Sequence, residues 1–102
     1  MPLQRYGFIV KSADLDMFKH QGQIASETFG MSIAGVCNIE EAMLVAQEML
    51  TRRIQLIELC GGFNADDAQK VRDAINDHIP VGVVQYTDQQ RQRLANEFGC
   101  PE

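Results

Sequence analysis

The stretch Ile54-Gln-Leu-Ile-Glu-Leu-Cys-Gly-Gly-Phe-Asn-Ala-Asp-Asp67 constrains this chain most, because an apolar run there carries two ionisable residues straight into a double-glycine turn. Residues 54–60 are too few and too apolar for a surface helix, and between Arg52-Arg53 and Gly61-Gly62 they predict a buried strand. Asn64 then offers an oxygen to cap a helix, and Asp66 and Asp67 follow in the first turn, where the helix dipole favours negative charge. Strand, glycine turn and capped helix make a βα corner. Alternation along the strand puts Ile54, Leu56, Glu58 and Cys60 on one side and Gln55, Ile57 and Leu59 on the other.

The rest of the chain repeats this grammar. Arg5–Lys11 predicts a first strand, and residues 31–37 a second with Gly35 inside it. Residues 12–30 lack a clear period: Asp14 could cap a short helix through Leu15 and Phe18, but Gly22 interrupts it, so the segment is expected only to cross between parallel strands. Asn38, three residues ahead of Glu41, forms a capping-box pattern for a helix beginning at Ile39, with Ile39, Ala42, Met43, Ala46, Met49 and Leu50 inward. A second helix is expected over 65–78 with Ala68, Val71, Ala74 and Ile75 inward, and a fourth strand over 81–86. Thr87 or Asp88 caps a last helix that stops at Gly99.

That order predicts an α/β fold: one domain over 1–102, a three-layer sandwich whose four mostly parallel strands are covered on both faces. A half-barrel completed by a partner chain and a ferredoxin-like sheet are the alternatives. Right-handed crossovers gather the strand ends near Cys37, Cys60-Gly61-Gly62 and Tyr86 at one edge, together with three helix N-termini. Open sheet edges and a Met-bearing helix face predict a homo-oligomer, most simply a dimer.

Composition narrows the function. A net charge of -5 argues against a nucleic-acid groove or an anionic membrane surface. No apolar run is long enough to span a bilayer and the first residues lack a signal-peptide layout, so a cytoplasmic protein is expected. The three cysteines are widely spaced without a C-x-x-C, which disfavours a disulfide framework or a zinc site; neither metal nor cofactor is expected, and Cys100 is expected to lie in a frayed tail.

Within the expected edge, Glu58 is the sharpest candidate, since burial can tune a carboxylate to acid or base work; the plainer account is that it holds a helix N–H group or an arginine such as Arg5. Cys60 precedes a helix N-terminus, which favours a thiolate, but Glu58 beside it opposes that, and buried free cysteine is usually a small core residue. Gly61 and Gly62 bring amides close to a ligand, although neither a Walker loop nor a dinucleotide fingerprint is present. Phe63, Asn64, Tyr86 and Gln85 are placed around the same pocket, though strand alternation would turn Gln85 or Tyr86 away. His20 could fold over the edge as a lid residue, against the plainer reading of a solvated loop histidine. His78 suits a helix C-terminus.

Several segments also resemble a family of small bacterial α/β proteins known as a domain of unknown function: the aromatic first strand, Asp16-Met-Phe-Lys-His20, Gly35-Val-Cys-Asn-Ile-Glu-Glu-Ala42, Gln55-Leu-Ile-Glu-Leu-Cys-Gly-Gly-Phe63 and Val81-Gly-Val-Val84. The resemblance implies a compact α/β fold and no established reaction. It converges with the physical reading on Glu58, Cys60, Gly61, Gly62 and Phe63, adds His20, and attaches no chemistry to Cys37. The leading expectation is small-molecule or anion binding at the carboxyl edge. An isomerase or lyase in which Glu58 moves a proton with His20 or Cys60 is the second, and a structural or subunit-interaction module the third.

Overall fold

The computed structural model describes residues 3–99. Five strands, β1 (Arg5–Lys11), β2 (Gln21–Ala25), β3 (Gly30–Val36), β4 (Leu56–Leu59) and β5 (Val81–Val83), form one sheet in the order β2-β3-β1-β4-β5. All neighbours pair in parallel except β2, which runs antiparallel to β3 at one edge. The helices are α1 (Ile39–Thr51), α2 (Ala65–Ala74) and α3 (Asp88–Phe98). The α/β class and mostly parallel sheet match the expectation, with one strand more. Cys100 lies outside the described residues.

Topology decides which face is covered. From β3 to β4 and from β4 to β5 the chain steps the same way across the sheet, so right-handed crossovers put α1 and α2 on the same face. There they pack against each other and onto the sheet. The step from β1 to β3 runs the other way, and a helix in that crossover would have covered the second face. Residues 12–25 instead form a turn-rich loop and the edge strand β2, closed onto β3 by a turn in which Ser26 N–H donates to the Phe29 carbonyl at 2.8 Å. The expected third layer is therefore missing among the described residues, because the segment that would supply it was recruited into the sheet.

The core lies between the sheet and α1 and α2. Ile9, Val36, Ile57 and Leu59 are fully buried from the sheet, and Ala42, Ala46, Met49, Val71 and Ile75 meet them from the helices. Gly7 lets α1 come close: a β-carbon there would stand 2.7 Å from Met49 Sδ. Met49, on the Met-bearing face of α1, is thus turned inward, while Met43 is half-buried.

Helix ends follow local chemistry. Asn38 Oδ1 accepts from Glu41 N–H at 2.8 Å, as the capping pattern predicts. Glu41 itself reaches past the cap: its Oε1 accepts from Cys37 N–H at 3.1 Å and from Met17 N–H at 3.3 Å, tying the 12–20 loop to α1. The end of α1 is a Schellman turn, with Arg53 N–H on the Leu50 carbonyl and Ile54 N–H on the Met49 carbonyl, each at 3.1 Å. Ile54 is consequently buried on the helix side rather than facing with Leu56, and β4 starts at Leu56. A second Schellman turn stops α2 at Ala74 instead of residue 78, because Asn76 and Asp77 take φ of 54° and 55° and Asp77 N–H reaches the Arg72 carbonyl at 2.8 Å. No helix among the described residues is long and apolar enough to cross a membrane.

Candidate functional site

The carboxyl ends of β1 and β4 border the point where the chain's connections diverge, the place where open α/β sheets bind ligands. Lys11, the last residue of β1, organises it. Its N–H donates to Cys60 Sγ at 3.3 Å, and its ammonium lies 3.9 Å from Asp67 Oδ2 and 5.1 Å from the centre of the Phe63 ring. Phe63 is anchored in the core, and Asn64 caps α2 through a complete capping box with Asp67, at 2.8 Å and 3.1 Å.

Beside this corner opens a cleft of about 360 Å³, lined by Gly61, Phe63, Asn64, Ala65, Val83, Val84, Gln85, Tyr86 and Arg91. Four of the expected ligand-binding residues, Gly61, Phe63, Asn64 and Tyr86, therefore share one cavity. Gly61 leaves room for the aromatic wall, since a β-carbon there would stand 3.0 Å from Tyr86 Cε2, tighter than an ordinary contact. The last strand ends at Val83, three residues before the expected limit, so alternation no longer applies and Gln85 and Tyr86 both line the cleft. Thr87 caps α3, and Arg91 in its first turn donates to the Tyr86 carbonyl at 3.1 Å and pairs with Asp88 at 3.6 Å. Sequence reasoning missed Arg91. A cation in a first turn opposes the helix dipole, and that was the available signal.

The other candidates stand elsewhere. Glu58 is on the open face of the sheet, where Tyr6 donates its hydroxyl to Oε1 at 2.5 Å. Tyr6, not Arg5, is thus the partner of the carboxylate, and alternation along β1 could have shown it, because Tyr6 and Phe8 flank that position. Burial first, then the hydrogen bond and negative charge of Glu58, push the Tyr6 phenol from 10.0 to about 12. Neither Glu58 nor Cys60 is among the residues lining the cleft, and Gly62 faces Cys60 Sγ instead.

His20 sits at the turn into β2, its Cβ 3.3 Å from where a β-carbon on Gly35 would be, and its Nδ1 accepts from Asp16 N–H at 2.9 Å. It therefore lies on the β3 side, apart from the cleft lining. His78 Nδ1 is 2.7 Å from the Ile75 carbonyl at the end of α2. Burial, with the Glu41 carboxylate adding to it, pushes the Cys37 thiol up, away from nucleophile chemistry. Among the described residues no group of three or more His, Cys, Asp or Glu side chains is placed to hold a metal ion.

The arrangement offers a small polar cavity with one guanidinium, the first-turn amides of a capped helix and an aromatic wall. No curated protein matches the chain, and no solved structure does. A family model matches residues 4–99, and the chain accordingly belongs to the family of unknown function DUF6506.

Proposed function

We propose that this chain is a cytoplasmic protein that binds a small molecule bearing an anionic group in the cleft between the start of α2 and the start of α3. The observation that carries this reading is the convergence of Gly61, Phe63, Asn64, Tyr86 and Arg91 on one volume of about 360 Å³, within the ordinary size range of small-molecule sites. The N–H groups of a first helical turn lack intrahelical acceptors, so that of Ala65, which lines the cleft, is available to an anion that Arg91 also attracts. Free thiols at Cys37 and Cys60 are in keeping with a reducing compartment.

Thermal shift against a panel of phosphorylated and carboxylated metabolites tests the reading, because a ligand at a hundred times its dissociation constant stabilises by about 2.7 kcal/mol. Stabilisation that disappears in Arg91→Ala and in Gly61→Val supports it. A panel without effect, or a shift that survives both substitutions, overturns it.

The Tyr6–Glu58 bond favours a second reading for Glu58 alone, as a structural residue rather than an acid or base. Its Oε1 is already occupied at 2.5 Å by a hydroxyl whose proton is held tightly. Under this reading Glu58→Gln lowers stability and leaves the ligand response intact; a lost ligand response at unchanged stability speaks against it.

A further inference from the structure

We infer that the uncovered face of the sheet is the interface for a second copy of this chain, joined face to face about a two-fold axis. The register defines that face in two rows. One row is Gly22, Ile33, Phe8 and Glu58 across β2, β3, β1 and β4; the other is Ile24, Met31, Tyr6 and Leu56. Phe29 stacks on Tyr6 at 6.5 Å and extends the apolar surface. Ile24 remains 65% exposed, and β-carbons at Gly22 and Gly82 would meet nothing from another layer, whereas at the carboxyl end of the face Leu15 and His20 stand over Gly35 and confine the open patch to these two rows.

Three observations select a second copy. The first is polarity. Glu58 is the one charged residue in the two rows, and Tyr6 already satisfies it, so an apolar surface can cover the face without stranding a bare charge.

The second is self-complementarity. A two-fold axis running along the strands between β3 and β1 reverses each row. It sets Glu58 of one copy over Gly22 of the other, Phe8 over Ile33, Tyr6 over Met31 and Leu56 over Ile24. The largest polar group thus meets the one position without a side chain, and the two carboxylates are separated by the width of the patch.

The third is area. Strands of 5, 7, 7 and 4 residues, at about 3.3 Å per residue and about 4.8 Å apart, project roughly 360 Å². Two such faces with their side-chain relief bury on the order of 700–900 Å² in total, the size of a weak, transient contact. The dimer is therefore expected to be weak and to form only at high protein concentration.

Sedimentation velocity over a range of protein concentrations tests this. The expected result is a concentration-dependent dimer that Ile24→Glu and Ile33→Glu each weaken by about a hundredfold or more, since each buries an unpaired charge. Ile24 is exposed enough for its variant to stay folded, as circular dichroism will verify. Leu44→Glu, at a 54% exposed position on α1, leaves association unchanged. Gly22→Lys, opposite the other copy's Glu58, tightens the dimer at low salt and Gly22→Glu loosens it. A chain that stays monomeric at high concentration, a dimer indifferent to both isoleucine substitutions, or one broken by Leu44→Glu overturns the inference; the reverse order for the two Gly22 variants overturns its register.

Discussion

On the covered face of the sheet a β-carbon at Gly7 would press within 2.7 Å of Met49 Sδ, whereas on the open face one at Gly82 would meet nothing within 4 Å. The same contrast runs through neighbouring residues of one strand: Ile9 and Ile57 are fully buried, while Phe8 and Leu56, one step along, are only partly buried. A strand alternates its side chains whatever lies above it. What differs is the direction of the connections, which placed two helices on one side and a strand extension where a third would have been. Apolar residues on both faces of β1, β3 and β4 remain the mark of a sheet meant to be covered twice.

The largest expected effect separates the faces by burial. Ile57→Ala removes a fully buried side chain and is expected to cost about 2–5 kcal/mol in urea unfolding at any protein concentration. Ile33→Ala, on the open face, is expected to cost roughly 1 kcal/mol in the dilute monomer and more as the dimer fills. Equal, concentration-independent losses would show that the second face contributes nothing beyond the subunit.

Glycine substitutions sharpen the contrast sterically. Gly7→Ala must displace Met49 and the Ile54 side chain, whose Cγ2 stands 3.2 Å from the new carbon, at about 1–3 kcal/mol. Gly82→Ala is expected to stay within about 0.5 kcal/mol of the parent, measured the same way. A neutral Gly7→Ala would mean that α1 rides less closely on β1 than the 2.7 Å approach indicates.

The covered face was also the legible one. Ile9, Ala42, Ala46, Ile57, Leu59 and Val71 sit in clean periods of two or near 3.6, because one apolar stripe needs one partner layer. β2 escaped because Gln21-Gly-Gln-Ile-Ala holds one large apolar residue, and because Ser26-Glu-Thr-Phe29 turns the chain without Gly, Pro or Asn. At the cleft, Gly61, Phe63, Asn64 and Tyr86 were legible since successive parallel strands deliver their ends to one edge. Arg91 was not, because its place depends on where α3 leaves the sheet, and nothing in the pattern of 88–98, a helix without a buried residue, specifies that.

Alkaline titration probes the polar spot on the open face. With its phenol raised to about 12 by burial and by Glu58, Tyr6 holds its proton more tightly folded than unfolded. Its contribution to stability is complete below pH 10 and is lost as the pH climbs through 12. In Tyr86→Phe, where Tyr6 is the one tyrosine left, phenolate absorbance should rise near pH 12, and adding Glu58→Gln should bring that rise to lower pH. A rise at pH 10 in both proteins would dissolve the pairing. Tyr6→Phe, losing a single half-exposed hydrogen bond, should cost about 0.5–1.5 kcal/mol at neutral pH.

The smallest effect belongs to the covered face and tests the concentration argument from the other side. Arg53 closes α1 with φ of 65°, a conformation that crowds any side chain and suits glycine. Ile54 behind it is buried, so the turn must keep this shape for the helical layer to seat. Arg53→Gly relieves the crowding but loosens the unfolded chain, and the balance is expected to stabilise by a few tenths to about 1 kcal/mol. Because the turn lies away from the proposed interface, the gain should be identical in dilute and concentrated protein. A gain that grows with concentration would mean that the end of α1 also takes part in association, and the open face would then not be the sole surface joining two copies.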